Sequence, residues 1–259
     1  MEPFKITVLG SGTSQGVPVI ACKCAVCTST DAKDKRLRSS IMLTVNGRNY
    51  VIDSGPDFRQ QMLRENVTTL DAIIYTHEHK DHVAGMDDVR AFNFIEKKDM
   101  QIYCSENVEK ALHREFHYVF EAVKYPGVPS VNIQLISKEK EFSLTKELAV
   151  IPIEVMHYKM PVLGFRIGDF AYITDAKTIT ENEKIKLKGV KVLILNALRK
   201  EEHISHFNLA QALALIEEIQ PEKAYLTHIS HLFGKQDDIE SLLPKNVFVA
   251  FDGMKLTVN

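Results

Sequence analysis

Thr76-His77-Glu78-His79-Lys80-Asp81-His82 follows directly on the apolar run Asp71–Tyr75 and sets three imidazoles and a carboxylate close together. Alternate residues of an extended segment point the same way, so His77 and His79 can share one metal ion. The tight continuation lets Asp81 and His82 face a second ion. Imidazole and carboxylate together suit Zn²⁺, Mn²⁺ or Fe²⁺. Two such ions roughly 3.5–4 Å apart can activate a bridging water and hold both ends of a displacement. A polar surface loop is the plainer alternative, but this density of ligand types after a buried strand is rare. One loop cannot fill two coordination spheres. His157, Asp175 and His228 each end a strand-like run, as His77 does, and are the natural complement.

Working outward, strand-like runs recur along the whole chain, rich in Val, Ile, Tyr and Phe and ending at turn residues. Ser40–Val45 and Arg48–Ile52 flank Asn46-Gly47, a strong hairpin signal, and Gly168-Asp169 reads as another. Helices are expected at Phe58–Glu65 with Asp57 as its cap, Asp87–Glu96, Glu106–Phe120, Glu181–Leu187, Leu209–Ile219 capped by Asn208, and Asp237–Leu243. Strands outnumber helices about two to one. Hairpins come early and strand–helix–strand units late, which suggests two sheets packed face to face with helices outside. No segment reads as a linker, so residues 1–259 are expected to form a single domain. Two short echoes hint at duplication: Tyr50-Val51-Ile52-Asp53 with Tyr172-Ile173-Thr174-Asp175, and Ile74-Tyr75-Thr76-His77 with Tyr225-Leu226-Thr227-His228.

The pattern Thr-His-x-His-x-Asp-His, then a lone His, an Asp and a final His, resembles the metallo-β-lactamase superfamily. Gly10-Ser11-Gly12-Thr13-Ser14-Gln15-Gly16-Val17-Pro18, the cluster Cys22/Cys24/Cys27, Thr227-His228-Ile229-Ser230-His231 and Phe251-Asp252-Gly253-Met254 are similar to one branch of it. That branch is the 5-phosphoribosyl 1,2-cyclic phosphate phosphodiesterases, and the likeness runs from Leu9 to Met254. It implies a four-layer αβ/βα sandwich. It also implies a dinuclear site of Zn or Mn, with His77, His79 and His157 on one ion, Asp81, His82 and His228 on the other, and Asp175 bridging. Asp81 and His206 would be catalytic, with His206 in Ser205-His206-Phe207-Asn208 as acid/base. The branch favours Asn-His-Asn-Asp there, and Phe207 replaces a polar neighbour. A structural Zn would sit on Cys22, Cys24, Cys27 and His231. By chemistry Cys104 is also available as the fourth ligand, but the resemblance favours His231. The leading expectation is a hydrolase of a small cyclic or activated phosphodiester, attacked by hydroxide held between the metals. A tRNA-processing-type nuclease, a lactone or thioester hydrolase and a non-catalytic metal-binding module are the alternatives. The resemblance admits a homodimer.

Composition is consistent with this. Apolar residues are 45% and charged residues 25%, so the chain can bury a core and disorder is excluded as its main state. The net charge of −2 argues against nucleic acid as a partner. No run reaches a membrane span, and the start lacks a secretory pattern, so a cytoplasmic location is expected. Three cysteines within six positions read there as metal ligands rather than disulfides. Gly10–Gly16 either presents backbone N–H groups to a phosphate or serves a tight turn. Cys104 reads as a core thiol, and His113 with His117 as an exposed face of one helix.

Overall fold

The structure, a computed structural model, describes residues 3–258, so both ends of the span expected to form one domain, Met1–Glu2 and Asn259, lie outside the described residues. The first sheet contains β1 (Phe4–Gly10), β2 (Ser40–Val45), β3 (Arg48–Ile52), β4 (Ala72–Ile74), β5 (Met100–Cys104), β6 (Val131–Leu135) and the last strand, β15 (Lys255–Val258). Its order is β15-β1-β2-β3-β4-β5-β6. The second sheet contains β7 (Phe142–Thr145), β8 (Leu148–His157), β9 (Met160–Ile167), β10 (Phe170–Ile173), β11 (Thr178–Ile179), β12 (Val192–Asn196), β13 (Lys223–Thr227) and β14 (Val247–Val249). Its order is β11-β8-β9-β10-β12-β13-β14, with β7 paired to β8. Each sheet opens with antiparallel pairs and turns parallel at the fourth strand of its order: β3, β4, β5 and β6 are parallel, as are β10, β12, β13 and β14.

Alternation along the strands explains why the sheets stack. On β10, Phe170 and Tyr172 enter the core between the sheets, while Ala171 and Ile173 face the opposite way. On β3, Tyr50 and Ile52 join the inner core and Val51 the outer one. Ile6, Ile41, Leu43, Phe165, Ile194 and their neighbours fill the space between the sheets. Helices α1 (Phe58–Arg64), α2 (Lys80–Val83), α3 (Arg90–Glu96), α4 (Glu106–Glu115) and α5 (His117–Phe120) cover the outer face of the first sheet. Over the second sheet lie α6 (Glu181–Ile185), α7 (Leu209–Ile219) and α8 (Gln236–Glu240). The layers are thus helix, sheet, sheet, helix, the αβ/βα sandwich expected from the resemblance.

Turn chemistry behaves as read: Asn46 and Gly47 have φ 49° and 74°, the two-residue hairpin pattern, and Gly168 has φ 55° between β9 and β10. Asn208 caps α7 in a reciprocal box with Gln211. Other expectations are corrected. Asp57 does not cap α1, because its carboxylate accepts from the Arg38 backbone N–H and guanidinium at 2.8 and 2.9 Å. The helix expected over Glu106–Phe120 breaks at Phe116, with φ −120° and ψ 40°, so His113 and His117 do not share one helical face. His113 instead stacks on Phe120. The heptapeptide is extended only at its start, since α2 begins at Lys80. The short strands β7 and β11 were not legible in the pattern. Among the described residues no helix is long and apolar enough to cross a membrane.

Candidate metal centre

The parallel strands deliver the polar residues to one rim. Asp53 follows β3, His77 follows β4, Asp175 follows β10 and His228 follows β13, while His157 is the last residue of β8. Asp53, Asp175 and His228 have φ 65°, 56° and 58°, left-handed conformations that few non-glycine residues adopt. Such strain at a strand end turns the side chain across the rim and is typical of functional positions. Gly55 lets the ligand loop approach: a methyl group there would stand 2.0 Å from the Asp81 carbonyl oxygen.

Three groups of ligand atoms result, each with all atoms within 4.8 Å: Asp81, His82, Asp175 and His228; His77, His79 and Asp175; and His157, Asp175 and His206. Asp175 belongs to all three. Its Oδ1 lies 3.0 Å from His228 Nδ1 and 3.5 Å from His82 Nε2, and its Oδ2 lies 3.7 Å from His77 Nε2. His157 stands beside His79, ring centroids 5.1 Å apart, and beside His206 at 4.5 Å.

Hydrogen bonds at the far side of three of the rings fix their tautomers. His157 Nδ1 donates to the carbonyls of Ser205 and Asp175 at 2.9 and 3.1 Å. Carbonyls only accept, so its Nε2 keeps a free lone pair. Asp53 accepts from the Thr76 N–H and hydroxyl at 2.9 and 2.8 Å and from His82 Nδ1 at 2.7 Å. With its proton given to Asp53, Thr76 Oγ1 accepts from His77 Nδ1 at 2.9 Å. The opposite nitrogens of two of these rings, His77 Nε2 and His82 Nε2, are buried and, like His228 Nε2, have no hydrogen-bond partner among the described residues. Orphaned buried nitrogens are costly, and a divalent cation satisfies them.

The electrostatics agree. Burial alone would lower the pKa of His82, but Asp175, Asp81 and Asp53 outweigh it and hold it well above the usual value. The same three carboxylates make this a place for a cation. Burial would raise Asp175, yet His228 and His82 keep it well below the carboxylate range. Burial lowers His77, and His82 adds to the effect. Burial, reinforced by His228, takes His206 down to about 3. Its Nδ1 is buried and has no hydrogen-bond partner among the described residues. Imidazole and carboxylate donors in these numbers fit Zn²⁺, Mn²⁺ or Fe²⁺.

A second group lies apart. The Sγ atoms of Cys22 and Cys24 are 3.3 and 3.4 Å from His231 Nδ1, and Cys27 completes a set within 4.8 Å. The Cys27 N–H and His231 lower Cys24 to about 6, while burial raises Cys27 to about 11. Three sulfurs and one imidazole nitrogen are a tetrahedral zinc donor set. Cys104 is buried in the core beneath α4, its thiol pushed up to about 12, and is not part of it.

A family model described as "Beta-lactamase superfamily domain" matches residues 48–229. The chain belongs to this superfamily. Its fold is the metallo-β-lactamase fold. A solved structure described as a new diphosphatase from the PhnP family superposes with TM-score 0.93 at 36% identity, over 99% of this chain and 98% of that one. Zn²⁺-bound PqqB from Methylobacterium extorquens shares the fold, with TM-score 0.81 and 21% identity over 97% of this chain and 99% of that one. Among curated proteins, an octanoyltransferase of Porphyromonas gingivalis is 37% identical over 99% of this chain. The chain spans 52% of that relative's length.

Every residue expected at the dinuclear site lies on this rim, and the cysteine–histidine set closes as a separate cluster. Asp53 and Ser205 were missed. The echo of Asp53 with Asp175 was the available signal for Asp53, since both follow the fourth strand in the order of their sheet. The second echo is not equivalent: β4 adjoins β3, whereas β13 lies beyond β12 from β10. The carbonyl of Ser205 has no signal in sequence.

Proposed function

We propose that the chain is a two-metal phosphodiesterase acting on a small cyclic or activated phosphodiester. The observation that carries this is the full-length likeness to the PhnP-family diphosphatase, around a rim on which Asp175 joins every ligand cluster. His77, His79 and His157 would hold one ion, Asp81, His82 and His228 the other, and Asp175 both. The pair, when bound, supplies Lewis-acid charge for the phosphoryl oxygens and lowers the pKa of water. Asp53 orients His82 and Thr76, and Thr76 orients His77. The carbonyl of Ser205 orients His157. Asp81, 3.1 Å from His82 Nε2, contributes negative charge beside the attack site. His206, neutral in its buried setting, would give a hydrogen bond to the departing oxygen, and would protonate it only from the imidazolium form. A structural zinc on Cys22, Cys24, Cys27 and His231 would tie the N-terminal loop to the strand end bearing His228. That chemistry needs reduced thiols, which favours the cytoplasm. Residues 1–259 are proposed to work as one domain, because both sheets contribute to one rim.

A second reading, hydrolysis of a thioester or ester, rests on the name of the Porphyromonas gingivalis relative. A panel on the Mn²⁺- or Zn²⁺-loaded protein separates the two: bis(p-nitrophenyl) phosphate, p-nitrophenyl phosphate, a lactone and octanoyl thioester. Turnover of the diester above the other three supports the phosphodiesterase. Turnover of the thioester alone overturns it.

A further inference from the structure

One histidine near the centre belongs to none of the ligand sets found among the described residues. His203 is half-buried on the loop between β12 and α7. The base of that loop is closed by the Leu198 N–H on the Phe207 carbonyl at 3.0 Å and the Leu209 N–H on the Arg199 carbonyl at 2.9 Å. The Phe207 N–H also donates to the Ala176 carbonyl at 2.7 Å. The loop delivers two groups to the centre. The Ser205 carbonyl accepts from His157 Nδ1 at 2.9 Å, and the His206 ring stands 4.5 Å from that of His157. Glu201, Glu202 and Ile204 at the tip are exposed, so their packing cannot fix the direction of Ser205.

Two side chains hold the loop from within. Arg199 donates to the Glu202 carbonyl at 2.7 Å. His203 Nδ1 accepts from the Ser205 N–H at 3.3 Å, and the Ser205 hydroxyl lies 3.2 Å from the same nitrogen. A side-chain acceptor bonded to the N–H two residues on is the arrangement that Asp and Asn use in an Asx-turn. Here an imidazole nitrogen stands where the carboxamide oxygen would be, both atoms lying two bonds beyond Cβ. Nδ1 accepts only while it carries no proton, so the neutral ring with its proton on Nε2 is the working form. Burial, reinforced by Arg199, His157, Lys177 and His228, lowers the pKa of His203 and favours that form. The ring itself faces His206, with centroids 5.2 Å apart.

We propose that His203 is a positioning residue for the metal centre: by accepting from the Ser205 N–H it holds the Ser205 carbonyl on His157 Nδ1, and so presents the His157 Nε2 lone pair to the centre. This rests on the dinuclear reading above and adds a group that acts only through Ser205 and His157. The bond to Ser205 is the shorter of the two that fix His157, the other being to the Asp175 carbonyl at 3.1 Å. Partners that orient a metal-bound histidine typically change metal affinity or activity by about 10–100-fold. A histidine that merely decorated a solvated loop would be replaceable by any polar residue. One that serves through Nδ1 is replaceable only by a side chain with an acceptor at that place.

The experiment titrates the protein, with zinc in its cysteine site, with Mn²⁺ and follows it by electron paramagnetic resonance. Thiolates select zinc, whereas an imidazole–carboxylate rim accepts manganese, so the titration reads the rim. His203→Asn keeps an acceptor in the place of Nδ1. His203→Gln puts its polar atoms in the place of Nε2. The asparagine variant should bind both Mn²⁺ ions as wild type does and show the same signal of a coupled pair. The glutamine variant should bind one of them about 10–100-fold more weakly and lose the coupled signal at equal metal. His203→Ala should behave like the glutamine variant and replaces it in the test if that variant does not fold. Wild-type Mn²⁺ binding in both the glutamine and alanine variants, or a loss in the asparagine variant equal to theirs, would overturn the proposal. A split between asparagine and glutamine in a protein that turns over no diester would sink the phosphodiesterase and leave the role of His203 standing. Diester turnover without the split would do the reverse.

Discussion

Asp175 is the residue on which both halves of the centre meet. It is 1% exposed, sits at φ 56°, and reaches His77, His82 and His228. Asp175→Ala should remove nearly all activity and lower the metal content, measured by turnover and by elemental analysis of the same preparation. Full activity with two ions retained would end the bridging assignment. Asp53 acts through His82 rather than on substrate. Asp53→Asn weakens the acceptor for His82 Nδ1, so metal affinity or activity should fall by about 10–100-fold. Competition with a metal indicator measures it. His206 faces His157 and His228 without ligating a partner of its own. His206→Ala should lower turnover by about 10²–10⁴-fold for a poor leaving group and by much less for p-nitrophenolate. Equal losses for both would mean positioning instead of protonation.

At the scale of elements, the centre depends on how closely the turn after β3 packs on the ligand loop. Gly55 lies against the Asp81 carbonyl, and Gly85 against the Gly55 carbonyl, where a methyl group would stand 2.2 Å away. Gly55→Ala should overpack this contact by about 1–3 kcal/mol. The melting temperature should drop by several degrees, with metal affinity falling in parallel. A stable, fully active Gly55→Ala protein would show that the loop position is set elsewhere. The heptapeptide also shows how an element can be half legible. His77 and His79 were readable from extended alternation. The helical turn that carries Asp81 and His82 was not, because four residues are too few to show a period. Likewise Glu106–Phe120 reads as one amphipathic helix, whereas the chain breaks at Phe116 and packs Val119 into the outer core.

Across the whole molecule, the N-terminal loop is bound to the C-terminal half. Arg36, buried at 3% exposure, donates to Ser11 Oγ, the Ala250 carbonyl and Gln236 Oε1. Burial lowers its pKa to about 10, with Asp252 and Asp34 opposing. The cysteines and His231 make a second tie beside it. Metal-replete protein should therefore carry three ions per chain. Cys24→Ser or His231→Ala should lower the melting temperature by several degrees while turnover per intact dinuclear site changes little. Only two ions in fully active wild type, or an unchanged melting temperature for His231→Ala, would reject the structural site.

The sequence alone determined the layers and the chemistry. Period-two apolar runs require buried sheet faces, Asn46-Gly47 and Gly168-Asp169 admit few turns, and the heptapeptide with its strand-end His, Asp and His names a donor set. These are local properties, set by neighbours along the chain. What only the tertiary structure decided is which distant groups meet. Asp53 became the acceptor for His82 because β3 and β4 are parallel neighbours, so their ends share one rim. Ser205 became the anchor of His157 through a backbone carbonyl, which no residue type encodes. Tyr158 reads as an ordinary aromatic until the β8–β9 register places it in a two-residue turn with φ 56°. Pairing across sheets depends on long-range register, and a single sequence shows the pattern of each strand without showing its neighbour.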